Sequence, residues 1–294
     1  MCATPLSGDF MERHEDKIKY LVSVESSVSF IAQARTAARC LLKSVSPPKY
    51  RVIKDDQIKW AIYFCYNASG SLLPQNEFMI NALKQDGFGV SVVLACASSE
   101  AIDDRFLKLS DVLIWKGMHG FDISALKIGL SHIQETRGEV DALWINDSVF
   151  GPFSSISTFI ESCGGDFDVL GLTLAYSVRP HFQSYCFFIK KLNKPLIKSL
   201  FGAAFHTTLN DHLSNVLAFE ACFAANLTAR GFKVKCWAAP TQADFDLTMA
   251  FPFELVERGF PFIKRSLVGK FSTDFNQEAV GKFLRERKFH YRLE

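Results

Sequence analysis

The chain has 294 residues, of which 48% are hydrophobic and 22% charged, an ordinary globular balance that excludes a disordered polymer. A formal net charge of +2 gives no field that would favour nucleic acid as a partner. No run reaches the ~18 uncharged apolar residues of a membrane span, and Met1–Phe10, with Asp9 and no long apolar core, does not read as a secretory signal.

In chain order, residues 10–43 read as helical, with Val22, Val24, Val28, Ile31, Ala32, Ala38, Leu41 and Leu42 loosely on one face. Ser44-Val45-Ser46-Pro47-Pro48 is a stop. Residues 1–50 are therefore expected to be a helical appendage, and 51–294 the main domain. Lys59–Asn67 is a β-rich run ending in a loop, Gln75–Gln85 a helix closed by Asp86-Gly87, and Val90–Ala95 a buried strand. Asp111–Trp115, Ala142–Asn146, Val169–Leu174, Ser184–Ile189 and Lys233–Trp237 read as further strands. Helices are expected over Ile123–Ile133, Ser155–Ser162 and Asn215–Arg230, the last capped by Gly231, and the tail Glu278–Arg292 is helix-prone and basic. This alternation predicts an α/β fold with a mostly parallel central sheet and helices on both faces.

The eight cysteines are scattered singly, without C-x-x-C or zinc spacing, and read as reduced core thiols of a cytosolic protein. The 28 phenylalanines predict a bulky aromatic core, with apolar surface left for a partner or membrane.

Two stretches carry the chemistry. In Ala142–Phe153 an apolar run ends in Asn146-Asp147-Ser148 and breaks at Gly151-Pro152, as a buried strand does when it delivers a carboxylate to the rim of a sheet. Ligands of open α/β sheets sit at the carboxyl ends of strands, so Asp147 is expected beside whatever is bound. Gly117-Met118-His119-Gly120-Phe121-Asp122 lies at a strand-to-helix junction, where Asp122 is also placed to N-cap the helix. Glu220 sits between Phe219 and Ala221 in an apolar helix, where a carboxylate is costly unless it is satisfied or used. Each motif has a plainer reading beside the functional one: a turn cap for Asp147, a helix cap for Asp122, a solvated helix lysine for Lys127, a core hydrogen bond for Glu220.

In combination, Gly120-Phe121-Asp122, Asn146–Pro152, His181-Phe182-Gln183-Ser184-Tyr185, Glu220 and Pro261–Arg265 resemble the rhamnan synthesis protein F family, over about Lys59–Leu267. Members of that family act as rhamnosyltransferases in bacterial cell-surface polysaccharide assembly. The layout is also similar to glycosyltransferases of the GT-A type, in which a first strand and loop, here Tyr66-Asn67-Ala68, hold the nucleotide and a later strand ends in Asp-x-Asp. This chain departs there, since Ile145-Asn146-Asp147 has one carboxylate.

The resemblance implies that Asp147 holds a divalent cation (Mg²⁺ or Mn²⁺) or the sugar itself, assisted by Asn146 and Ser148. It implies that Tyr66, Asn67, Gly120, Asp122 and Lys127 face the donor and that Gln183 and Ser184 meet sugar hydroxyls. Lys264 and Arg265 would neutralise the leaving diphosphate, and Glu220 would be the general base. The implied reaction moves a deoxyhexose, rhamnose first, from a nucleotide diphosphate sugar to a glycan or lipid-linked acceptor, with inversion. The alternative is a non-catalytic assembly protein that binds nucleotide sugar, glycan or a partner transferase. Peripheral contact with the inner face of the cell membrane is expected at the basic tail (Lys282, Arg285, Arg287, Lys288, Arg292) and at Arg35 and Arg39.

Overall fold

The computed structural model describes residues 17–39, 49–52, 58–242, 246–274 and 276–293. Its elements, in chain order, are β1 (Ile18–Ser23), α1 (Phe30–Arg39), β2 (Lys49–Val52), β3 (Lys59–Tyr66), α2 (Pro74–Gln85), β4 (Gly89–Ala95), α3 (Asp104–Leu109), β5 (Val112–Trp115), α4 (Phe121–Arg137), β6 (Val140–Asn146) and β7 (Val149–Phe150). There follow α5 (Ile156–Ser162), β8 (Val169–Ala175), β9 (His181–Phe182), β10 (Cys186–Leu192), α6 (Lys194–Phe201), α7 (His212–Asn215), a π-helical turn (Val216–Glu220), α8 (Ala221–Thr228), β11 (Val234–Pro240), α9 (Leu247–Ala250), α10 (Pro252–Glu257), β12 (Ile263–Lys264) and α11 (Gln277–Glu286).

The main sheet runs β1-β11-β8-β10-β6-β3-β4-β5-β2, with β9 added on β8. β3 explains its centre. Trp60, Ile62 and Phe64 alternate with Ala61, Tyr63 and Cys65, and all six are buried, so the strand packs on both faces. On one face α4, α6 and α8 contribute Leu126, Leu130, Leu200 and Phe223; on the other, α2, α3 and α5 contribute Met79, Leu83, Phe106 and Phe159. A third cluster, with Phe150, Ile263, Leu267, Val280, Phe283 and Phe289, lies under the small β12-β7 sheet and α11.

Strands β6, β3, β4 and β5 form a parallel block, so Asn146, Tyr66, Ala95 and Trp115 end at one rim. Beyond β6 the sheet is mixed: β10 is antiparallel to both β6 and β8, and only β11 returns parallel to β8. The expected parallel order gives way where the β8–β10 connection, itself holding β9, is too short for a crossover.

The expected helical appendage over residues 1–50 is corrected for its described part. Ile18–Ser23 is an edge strand antiparallel to β11, with Tyr20 paired to Ala238, and Lys49–Val52 is the opposite edge, antiparallel to β5. Helix is found only over Phe30–Arg39. The period of two in Ile18, Tyr20 and Val22, half-covered by the sheet, outweighs the loose helical spacing. The tail is helical only to Glu286; beyond it Phe289 and Tyr291 pack on Phe150, and Gln75 brackets the main chain of Arg292 through two hydrogen bonds of 2.8 and 3.0 Å. Six described cysteines are free and buried, while Cys2 and Cys40 lie outside the described residues. Among the described residues no helix is long and apolar enough to cross a membrane.

Candidate active site

Strand β6 delivers Asn146-Asp147-Ser148 to the rim of the parallel block. The Asn146 side chain organises the turn: its Oδ1 accepts the Ser148 N–H (3.1 Å) and hydroxyl (2.5 Å), and its Nδ2 donates to Asp122 Oδ2 at 3.0 Å. Asp147 Oδ2 accepts the Tyr66 N–H at 3.1 Å and lies 3.4 Å from Arg265 Nη1. The chain then turns at Gly151, whose φ of +127° suits glycine and whose Cβ, if present, would stand 2.5 Å from the Pro261 carbonyl oxygen. That close approach lets β12 pair antiparallel with β7, Lys264 opposite Val149, and the Arg265 N–H bonds Ser148 O at 2.8 Å. The two cations are thus fixed beside Asp147 by main chain.

Burial pushes the Asp147 carboxyl up to about 6, against the lowering effects of the Tyr66 N–H and Arg265. Burial also raises Asp122, with Glu220 as a second, like-charged cause. Lys264 lies 3.8 Å from the Tyr185 ring centroid; burial lowers its pKa, and Asp246, Glu220 and Asp122 oppose that shift. Three carboxylates therefore lie within electrostatic reach of one partly desolvated ammonium.

Asp147, Ser148, Lys264, Arg265 and Lys270 line a cleft of about 720 Å³, whose apolar wall is Met249, Phe271 and Leu293. Asp246 also lines it, and nothing in the sequence reading singled it out. Its local signal is a helix cap, realised here by acceptance of the Thr248 N–H at 2.9 Å. Its place beside Lys264 is a product of tertiary folding alone.

Glu220 closes the π-helical turn, a rare element that recurs at functional sites. Its Oε1 accepts the Ser184 N–H at 3.2 Å and its Oε2 the Ser184 hydroxyl at 2.9 Å. His181 Nε2 stands 3.9 Å from Oε1, and Nδ1 meets the Arg179 carbonyl at 2.7 Å, which makes Nδ1 the protonated nitrogen. Glu220 does not line the cleft; it lies within electrostatic reach of Asp122 and Lys264.

Several expected donor contacts are already engaged within the protein. Lys127 donates to Thr207 O at 2.6 Å beneath the rings of Phe201, Phe205 and Phe219, and burial lowers it to about 8, so it sits away from the cleft. Asn67 is buried and ties its own loop to Ser69 and Ser71. Gln183 bridges Thr173 (2.6 Å) and Asp246 (3.0 Å), and Ser184 holds Glu220, so both orient carboxylates. Asp122 is not the N-cap of α4: that position is Gly120, and Asp122 lies in the first turn with its carboxyl on Asn146. Tyr66 remains 49% exposed at the rim.

For a metal ion, the donor set is thin. Among the described residues no group of three or more His, Cys, Asp and Glu is placed to hold one, and the only carboxylate of the Asn-Asp-Ser turn already faces Arg265. The residues do not fit an ion held by the protein alone.

The model of the family described as rhamnan synthesis protein F matches residues 90–288, about two-thirds of the chain. The match takes in Gly120, Asp122, Asp147, Glu220, Lys264 and Arg265; it begins after Tyr66 and Asn67, later than the expected Lys59, and runs past Leu267 through α11. The virulence protein VirA of Vibrio anguillarum is 23% identical over 221 residues, covering 63% of this chain and 71% of that protein. Among solved structures, 4-diphosphocytidyl-2C-methyl-D-erythritol synthase from Anaerococcus prevotii aligns at a TM-score of 0.35 with 12% identity, over 68% of this chain and 95% of that one. The crystal structure of A197 from STIV aligns at 0.32 with 10% identity, over 60% and 81%. Scores this low carry no argument about activity.

Proposed function

The chain belongs to the rhamnan synthesis protein F family, and from that premise we propose that it is a GT-A-like, inverting glycosyltransferase. It would move a deoxyhexose, rhamnose first, from a nucleotide diphosphate sugar to a cell-surface glycan or lipid-linked acceptor. The family supports a role in rhamnose polysaccharide synthesis; donor, acceptor and stereochemistry are our reading of the site. The observation that carries it is the fixed pair Lys264–Arg265 beside Asp147 in one cleft, electrostatically joined to Glu220.

In this mechanism the diphosphate lies in the cleft against Lys264, Arg265 and Lys270. An acceptor hydroxyl attacks the anomeric carbon from the opposite face as the bond from that carbon to the phosphate oxygen breaks. The electron pair leaves with the nucleoside diphosphate, whose new charge the cations stabilise, and the hydroxyl proton passes to Glu220. Ser184 orients that carboxylate through its N–H and hydroxyl. Asp147 holds Arg265 in place; an Mg²⁺ or Mn²⁺ ion that drew its other ligands from the diphosphate and water would meet Asp147 as its protein carboxylate, in competition with Arg265.

A second reading is an assembly protein that binds a nucleotide sugar, glycan or partner transferase without turnover. It is motivated by the single carboxylate of the Asn-Asp-Ser turn and its existing Arg265 partner. Turnover of a labelled nucleotide diphosphate rhamnose, with a rhamnose oligosaccharide as acceptor, decides between them. Wild type active and Glu220→Gln inactive supports the transferase. An inert wild type that still binds glycan supports the assembly protein. Work at the inner membrane face, through Lys282, Arg285 and neighbouring cations, predicts salt-sensitive binding to anionic vesicles.

A further inference from the structure

Phe121 combines three properties; Leu21 shares the first two but lies at the far edge of the sheet. The φ of Phe121 is +51°, in the left-handed region that a bulky side chain avoids, directly after Gly120 at +84°. Its ring is 41% exposed. Its neighbour Asp122 belongs to the carboxylate cluster of the site.

The surrounding structure imposes that conformation. The Gly120 N–H donates to Asn210 Oδ1 at 3.1 Å, and Asn210 Nδ2 meets His119 Nδ1 at 3.3 Å, so both sides of the junction are tied to the 207–213 segment. A Cβ on Gly120 would stand 2.6 Å from Ser124 and 2.7 Å from Thr208, so the loop has one way to pass. On that same segment the exposed His212 ring meets Phe121 edge to face, with centroids 6.2 Å apart and planes at 75°. A strained residue that its neighbours over-determine points to a use for the side chain so displayed.

Neither Phe121 nor His212 lines the cationic cleft. Phe121 stands on the Asp122 side of the cluster, and Asp122 is the group that senses Glu220. The site thus has two chemically different parts. One is cationic and suits a diphosphate. The other offers an exposed aromatic ring on the residue before Asp122, which suits a ligand ring with an apolar C–H face and a hydroxyl edge.

We infer that Phe121, braced by His212, is the platform of a separate acceptor subsite that takes a pyranose ring of the glycan, stacked through its C–H face with its hydroxyls toward Asp122 and Glu220. This rests on the proposed transferase reading for the term acceptor; the binding itself does not.

The test uses the full chain and two probes: methyl α-L-rhamnoside or a short rhamnose oligosaccharide, followed by ligand-observed NMR, and a nucleoside diphosphate, followed by calorimetry. Phe121→Gly removes the ring and suits the backbone, so the variant should fold at least as well as wild type. It should weaken glycan binding about tenfold and leave nucleoside diphosphate binding unchanged. Phe121→Trp should retain glycan binding. The inference is overturned if wild type binds neither glycan probe, if Phe121→Gly binds glycan like wild type, or if both affinities fall together. Glycan bound through Phe121 by a protein that never turns over donor would sink the transferase reading and leave the subsite standing.

Discussion

The two carboxylates at the centre of the site are held by different parts of the molecule, in different ways. Asp147 stands at the end of a buried parallel strand, and its environment is built on the sheet: the Tyr66 N–H at the end of the neighbouring β3, and Arg265, whose main chain is fixed by the β7–β12 ladder. Glu220 ends a π-helical turn, and its environment is built from side chains: Ser184, His181 and, two residues back, Gln33 of α1, whose Nε2 donates to Ala218 O at 2.8 Å. In the proposed reaction the first group, buried beside a cation, organises the phosphate, and the second, held by paired donors, takes the proton. A strand end can be rigid on its own ladder; a distorted helix must be held in shape from outside.

The sharpest way to break this contrast is to neutralise each side in turn. Glu220→Gln keeps the shape and an oxygen for Ser184, so the fold and nucleotide affinity should persist while kcat falls about 10²–10⁴-fold, the usual worth of a general base. Arg265→Met should cost about 10²–10³-fold in turnover and also weaken nucleotide binding, as loss of a charge-stabilising donor does. It also removes one of the causes that lower Asp147, so the acid limb of the pH–rate profile should move to higher pH. Equal behaviour of the two variants in nucleotide binding would erase the division of labour.

Gln33 tests the outside support. Its amide reaches Phe201 O (3.1 Å) and Ala218 O, and its Oε1 accepts the Ala203 N–H at 3.2 Å. Gln33→Ala removes three hydrogen bonds to main chain, at a cost of about 1–3 kcal/mol in unfolding free energy. If Gln33 positions Glu220, kcat should fall while the nucleotide Kd holds, and Gln33→Glu should not rescue it, because a carboxylate cannot donate to those carbonyls. A drop in stability with kcat unchanged would make Gln33 a packing residue only.

The same contrast explains what the sequence could reveal. Strands β3, β5 and β6 are legible because their apolar runs are continuous and end at Asn67, Lys116 and Asp147, and the place of Asp147 is legible because a strand end is a local event. Glu220 stands out as a charge in an apolar helix, but the π-turn that carries it is contacted by Gln33, 185 positions away from its acceptor. Lys127 misled because its spacing from Asp122 says nothing about which face of α4 meets Phe201 and Phe219. Gln183 and Ser184 are expected to meet sugar hydroxyls, and in the structure their partners are Asp246 and Glu220, a relation no local pattern encodes. β1 was hidden because an edge strand half-covered on one side resembles a loose helix face over so few residues.

The smallest expected effect concerns stability and separates Asp147 from an ordinary surface aspartate. Its folded pKa of about 6 lies above the unfolded value of about 3.9. Between those values the native state holds a proton that the unfolded chain has lost, so stability should fall as pH rises from about 4 to about 6 and level off above. At neutral pH the carboxylate is ionised in both states and its desolvation opposes folding. A shift of about two units sets a ceiling of about 3 kcal/mol on that opposition. Asp147→Asn removes it but gives up the charge facing Arg265, so a net gain of about 1 kcal/mol is expected, or about 2 °C in Tm, alongside lost activity. Thermal scans of both proteins from pH 4.5 to 7.5 should show the gap narrow as pH drops through about 6. Parallel curves would mean that the strand-end carboxylate is solvated after all, and that the desolvated charge at the cleft belongs elsewhere.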